Sequence, residues 1–141
     1  MSTDDLVQQL VALHGEEGIC PTAADWRAIL ALEGAIHVLN LLAFKDEVHT
    51  DTGTRSGADA YRRYTRTVAE PFARVGGERV FFGAVGHVFA FGVTDDWDTA
   101  ILARYPSAHA LAEMWLDPAF VAAHKNRVDG VARSQVMIFG A

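Results

Sequence analysis

The sequence is poor in cysteine and in positive charge. Its 141 residues include one cysteine, Cys20, which excludes an internal disulfide framework and is typical of a reducing compartment such as the cytoplasm. The 12 lysine and arginine residues are scattered and outnumbered by 18 acidic residues, so the net charge is −6. Nucleic acids and anionic membrane surfaces favour clustered positive charge, and we therefore expect neither as a partner.

Long apolar runs are also missing, although 50% of the residues are hydrophobic. No run approaches the roughly 20 apolar residues of a transmembrane helix. The first five residues are acidic rather than basic, so no signal peptide is expected. A chain of this length buries about 68–70% of its unfolded surface, which is enough for one core without disulfides or metal.

Spacing of apolar residues and of capping residues predicts the order of helices and strands. An N-terminal helical extension, residues 1–34, precedes a domain over residues 35–141. The predicted elements are helices 4–14 (N-cap Thr3) and 23–33 (Thr22), strand 35–44, loop 45–57, helix 57–75 (Ser56), strand 79–91 with a bulge at Gly83 or Gly86, turn 94–96, strand 97–105, helices 108–116 (Ser107) and 118–129 (Asp117), and strand 134–139.

The order strand, helix, strand, strand, helix, strand predicts an α+β fold of the ferredoxin-like βαββαβ type. Right-handed crossovers then give a four-stranded antiparallel sheet with both helices on one face and the first and third strands in the centre.

Both central strands are apolar on both faces, whereas the helices cover only one. In the first strand Ile36, Val38 and Leu42 alternate with Leu39 and Leu41. The second face therefore needs a cover, which is either the N-terminal helices or the same face of a second subunit. A symmetric sheet-on-sheet homodimer is the simpler prediction, with the N-terminal helices on a flank or reaching across to the partner.

Three segments resemble the dimeric α/β-barrel superfamily, and within it the small bacterial domain of unknown function numbered 1330. They are residues 38–44, residues 97–107 and the run from Asp117 to Phe120 that is followed by His124 and Arg127. The resemblance covers residues 35–139. It implies the ferredoxin-like fold and a homodimer, but no single chemistry, because relatives include monooxygenases, isomerases, haem-degrading enzymes and proteins without known activity.

Two polar residues interrupt the central strands. Asn40 and Arg104 each lie at an even-numbered position, although the register between strands is not given by parity. If both face the helices, they line a cavity floor and bind a carboxylate or carbonyl oxygen. Alternatively, Arg104 neutralises a buried acid, Glu113 or Asp98, and Asn40 satisfies backbone groups.

A third candidate is His124, three residues before Arg127 on one helix face. It suits a general base at neutral pH, or a haem ligand as a weaker hypothesis; alternatively, it is a partly exposed histidine beside a solvated arginine. His37 and His87 lie on strands without a third ligand at metal-binding spacing, so no metal site is predicted. No organic cofactor is predicted either, because phosphate-binding motifs are absent, and no serine or cysteine nucleophile lies in an elbow motif.

Aromatic residues at helical spacing are the last candidate feature. They either wall a ligand pocket or form ordinary core: Trp26, Tyr61, Tyr64, Phe72, Trp97 and Trp115. The first hypothesis is a cofactor-free enzyme with Arg104, Asn40 and His124 at its catalytic site, acting on a small carboxylated or aromatic metabolite. The alternative is a non-catalytic ligand-binding or structural homodimer.

Overall fold

The structure is a computed structural model that describes residues 1–90 and 97–140. The predicted turn 94–96 lies outside these residues. The described elements are α1 (Thr3–His14), α2 (Ala23–Leu30), β1 (Ile36–Phe44), β2 (Val48–Thr50), β3 (Gly53–Arg55), α3 (Gly57–Arg74), β4 (Glu78–Ala84), β5 (Thr99–Tyr105), α4 (Ala108–Leu116), α5 (Pro118–Gly130) and β6 (Val131–Gly140). No helix in them is long and apolar enough to cross a membrane.

The sheet has the ferredoxin-like order that the sequence predicts. Four antiparallel strands lie in the order β4-β5-β1-β6, so the first and third strands of the βαββαβ unit are central. One apolar core joins the sheet to the helices, and residues of α1 and α2 such as Leu10 and Trp26 belong to it. The N-terminal helices pack beside α4 of their own chain.

Side-chain caps begin the helices close to their predicted starts. Ser56, Ser107 and Thr22 each accept a hydrogen bond from the backbone three residues on, and Asp117 caps α5 ahead of Pro118. The first cap was predicted one residue late, because Ser2 rather than Thr3 accepts the bond from the Asp5 backbone.

Strand boundaries differ more from the prediction. The segment 45–57 is not only a loop, because the β2–β3 hairpin lies within it; three-residue strands are too short to produce a periodic pattern. The strand predicted over 79–91 ends at Ala84. Its bulge lies between Arg79 and Phe81, not at either predicted glycine.

Helices α3 and α5 cross in direct backbone contact, which positions the site described below. The Lys45 amide donates to the Gly130 carbonyl at 2.9 Å, and the Gly57 amide donates to the Lys45 carbonyl at 2.9 Å. A Cβ on Gly57 would overlap the carbonyl oxygens of both Gly130 and Lys45. Tyr61 lies four residues after this crossing on α3, and Arg127 three residues before it on α5.

Candidate functional site

A cavity of about 390 Å³ lies between the sheet and the helices. Its floor is formed by the helix-facing side of β1 and β6, and its walls by α3, α4 and α5. The loop 18–21 and the helix α2 close one side, so the N-terminal extension is part of the wall. This volume is within the range of small-molecule sites.

Arg127 is the charged residue buried in this cavity. Its side chain comes from the last turn of α5 and is 5% exposed. Nη2 lies 3.4 Å from both Asn40 Oδ1 and Ser134 Oγ, whereas Nη1 is buried and has no hydrogen-bond partner. Among residues 1–90 and 97–140, no acidic side chain forms an ion pair with Arg127. A buried cation without a counter-ion is costly, and its free donors are available to an anion.

Three tyrosines surround the guanidinium group and remain protonated. Burial raises the phenol pKa of Tyr61, Tyr64 and Tyr105, and the Arg127 charge opposes that rise in all three. Tyr61 is the tyrosine whose pKa the Arg127 side chain affects both by its charge and by its hydrogen-bonding capacity. A neutral phenol donates a hydrogen bond, so the tyrosines extend the set of donors around the cavity.

His124 lies in an aromatic cluster beside the cavity and does not line it. Its ring centroid is 4.6 Å from that of Trp115, 4.8 Å from that of His14 and 5.4 Å from that of Phe120. The alternative of a partly exposed histidine beside a solvated arginine is wrong, because His124 is 4% and Arg127 5% exposed. Burial, assisted by the charge of Arg127 and by His14, lowers the His124 pKa to about 3.

Arg104 lies on the opposite face of the sheet from Asn40. The register pairs Asn40 with Ile101 on the helix side, whereas Arg104 pairs with His37 and with Glu78 on the outer side. The expectation that Asn40 and Arg104 share one cavity floor is therefore corrected. In the described chain Arg104 has no ion pair with Glu113 or Asp98 either, and the Asp98 carboxylate accepts from the Phe44 amide.

Four of the six candidate aromatic residues belong to the buried core and also line the cavity. Trp26, Trp115, Tyr61 and Tyr64 line the cavity, while the Trp97 ring lies 4.9 Å from the Arg133 guanidinium. Cys20 also lines it, and burial raises the pKa of its thiol. The described residues contain no group of three or more histidine, cysteine or acidic side chains that would hold a metal ion.

Ser134 was missed by the sequence analysis, and Arg127 was named only as a neighbour of His124. The spacing of α5 carried a signal for Arg127: the buried positions Phe120, Ala123, His124 and Arg127 follow the three-and-four pattern of a core-facing stripe. An arginine on such a stripe is directed into the protein. Ser134 gave no comparable signal, because its face depends on the register of β6 with β1.

A second cavity of about 380 Å³ lies between α3 and the β4–β5 side of the sheet. Both cavities are lined by Asn40, Tyr61, Tyr64, Tyr105 and Met114, so they adjoin at these side chains. Phe72, the remaining aromatic of the predicted wall, lines the second cavity.

Comparison with known proteins identifies structural relatives only. No family model matches the chain, and no curated protein does. The crystal structure of the RPA0582 protein of Rhodopseudomonas palustris, a protein of unknown function, is 31% identical over 84% of this chain and 89% of that one, with a TM-score of 0.75. Its methylated form gives 32% identity, coverage of 84% and 87%, and a TM-score of 0.75.

A more distant structure confirms the fold. A dimeric protein of unknown function with a ferredoxin-like fold from Bacteroides fragilis is 12% identical and covers 78% of this chain and 99% of that one, with a TM-score of 0.51.

Proposed function

We infer that this chain, which belongs to the same family as the RPA0582 protein of Rhodopseudomonas palustris, is a homodimer that binds a small carboxylated molecule beside Arg127. The ferredoxin-like fold, which it shares with the dimeric protein of Bacteroides fragilis, supports its assignment to the dimeric α/β-barrel superfamily. Within that superfamily we assign it to the bacterial domain-of-unknown-function 1330 group, on the segments that suggested the resemblance. The single cysteine continues to favour the cytoplasm.

The observation that carries this proposal is the buried, uncompensated guanidinium of Arg127. One buried positive charge is balanced by one negative charge, which suits a carboxylate better than a phosphate dianion. A planar carboxylate also matches the fork of guanidinium donors, and Nη1 is already free to take part. Asn40, Ser134 and Tyr61 supply neutral hydrogen-bonding groups around the same position.

Titration with matched ligands tests the binding function. Trp26 and Trp115 line the cavity, so intrinsic fluorescence reports occupancy, and calorimetry gives the affinity. Benzoate is expected to bind and its uncharged isostere benzamide is not, because only the carboxylate compensates Arg127. Loss of a charged hydrogen bond costs about 1.5–3 kcal/mol, so Arg127→Met is expected to weaken benzoate binding by roughly 10- to 150-fold.

The matched control is Arg63→Met, because Arg63 is an exposed arginine of α3 that does not line either cavity. Arg63→Met should leave the affinity for benzoate unchanged. Equal binding of benzoate and benzamide, or equal affinity in Arg127→Met and the native protein, would rule out the carboxylate site.

A cofactor-free enzyme is the second candidate, and Tyr61 is the residue that favours it. Its protonated phenol lies beside the guanidinium group and lines both cavities, which His124 does not. Such a phenol acts as a proton donor rather than a base. Product analysis by NMR with bound carboxylates tests this: Tyr61→Phe should retain binding and lose turnover. Unchanged ligands with the native protein would favour the binding function alone.

The outer sheet face supports the homodimer. The register places Leu39, Leu102 and Met137 in one row across it, with Phe81 at its edge. Phe81 is 54% exposed and Phe139, on the same face, is 48% exposed. A contiguous apolar surface of this kind is typical of a subunit interface. The Bacteroides fragilis protein that shares the fold is dimeric.

A further inference from the structure

The two adjoining cavities differ in chemical character. The first contains the guanidinium of Arg127 and the hydroxyl of Ser134, neither of which lines the second, among apolar side chains such as Val38 and Ile138. The second is walled mainly by apolar side chains of α3, β4 and β5, namely Val68, Ala69, Phe72, Phe82, Ile101 and Ala103. A positively charged surface that can bind an anion therefore lies beside an apolar surface.

Two polar side chains, Thr65 and Arg79, line the second cavity and not the first. The Thr65 hydroxyl donates to the Arg62 carbonyl at 2.9 Å within its own helix. Arg79 is exposed, and its guanidinium lies 4.9 Å from the centre of the Phe82 ring at the β4 edge. The apolar side chains of this cavity suit hydrocarbon or aromatic groups, and its positive charge comes from the exposed Arg79 on the β4 side.

The boundary between the cavities is formed by side chains that both cavities share. The rings of Tyr61 and Tyr64 lie 5.2 Å apart at an angle of 42°, with Tyr105 and Met114 also lining both spaces. Methionine is flexible and adapts its shape to a neighbouring apolar group. A ligand tail that passes this boundary would contact aromatic faces and the Met114 thioether.

We propose that the two cavities are the head and tail compartments of one site, and that its ligand is a monocarboxylate with an extended apolar tail. This inference rests on the proposed function and deepens it by naming the ligand class. The carboxylate binds Arg127 in the first cavity, and an alkyl or aryl-alkyl tail fills the second. Each cavity alone is near the lower end of the volumes of drug-sized sites, whereas the pair accommodates a longer molecule.

A series of straight-chain carboxylates from acetate to dodecanoate tests the tail compartment by calorimetry, below each acid's micelle concentration. Burial of one methylene strengthens binding by about fourfold, so affinity should rise steeply with chain length and level off when the second cavity is filled. The corresponding alkyl amides should bind at least tenfold more weakly at every length, because they lack the charge that Arg127 requires.

Two variants separate tail binding from head binding. Ala103→Leu places a larger side chain in the second cavity from the strand floor, and it should remove the dependence on chain length while short carboxylates bind as before. Phe82→Ala removes one wall near the sheet edge and should weaken only the long acids, by roughly tenfold. Phe89→Ala, at a side chain that is 95% exposed, is the control and should change nothing.

The thiol of Cys20 gives an independent measure of head occupancy, because it lines the first cavity only. Bound carboxylates of any length should slow its reaction with a thiol reagent. If carboxylates of every chain length bind with the same affinity and protect Cys20, the proposal that the second cavity binds the tail is wrong. The proposed carboxylate site beside Arg127 is retained in that case. If no carboxylate of any length binds, the proposed function itself fails.

Discussion

Gly57 and Gly130 touch backbone to backbone where α3 crosses α5, and neither position has room for a Cβ. The contact sets how Tyr61 and Arg127 approach each other, since each lies within about one helical turn of it. The geometry of the cavity therefore depends on two residues that do not line it.

Gly57→Ala is expected to destabilise the fold by roughly 2–3 kcal/mol, because the new methyl group meets rigid carbonyl oxygens rather than a movable side chain. Urea denaturation measures the change. Gly86→Ala is the matched control: a Cβ there meets nothing within 4 Å, so stability should be retained. Equal stability of the two variants would contradict the close crossing.

The stability of the protein is expected to fall as the pH is lowered from about 6.5 towards 3, in part because of His124. Its pKa is lowered to about 3 in the folded state, whereas the unfolded chain titrates near the ordinary value of 6.5. Between these values the unfolded state binds a proton that the folded state does not, and the free energy of unfolding drops by up to about 1.4 kcal/mol per pH unit.

His124→Phe isolates this contribution, because phenylalanine keeps an aromatic ring beside Phe120 and does not titrate. Other groups also titrate in acid, so the quantity to compare is the difference in unfolding free energy between variant and native protein at pH 6.5 and at pH 4. The variant should lose less stability over this interval. If the unfolding free energies of the variant and the native protein change equally between pH 6.5 and pH 4, His124 is not the buried neutral group described.

Arg127→Met is expected to raise the stability of the unliganded protein while it weakens carboxylate binding. The native side chain holds a buried charge without an acidic partner in the described chain, and a hydrophobic replacement of similar length removes that cost. A gain of about 1 kcal/mol or more in thermal or urea unfolding is the predicted result. A loss of stability of that size would mean that Arg127 has a structural rather than a ligand-binding role.

Leu102→Glu is expected to convert the proposed homodimer into a monomer. Leu102 lies on the outer face between Leu39 and Phe81, where a second sheet would bury the new carboxylate without a partner. Sedimentation should give about twice the 15.3 kDa chain mass for the native protein and the single mass for the variant. Leu13→Glu, at a 49% exposed position on α1, should stay dimeric. A monomeric native protein at micromolar concentration would refute the interface.

The sequence by itself determined the elements whose signals are local. Caps at Thr22, Ser56 and Ser107 satisfy the first backbone amides of a helix, and their effect needs no tertiary context. Apolar spacing along the longer strands and helices likewise sufficed for the βαββαβ order, because each element must bury one or two faces wherever it packs. The β2–β3 hairpin escaped prediction, since its strands are too short to show a period.

Only the tertiary structure decided which polar residues meet. Asn40 and Arg104 share even numbers, yet the register of β1 with β5 places them on opposite faces, because a shift of one residue in strand pairing exchanges the two faces. Arg127 on α5 lies beside Asn40 on β1, although the two residues are 87 positions apart in the sequence. Strand register and helix crossing are set by contacts between distant segments, and for that reason the sequence alone could not specify the proposed anion site.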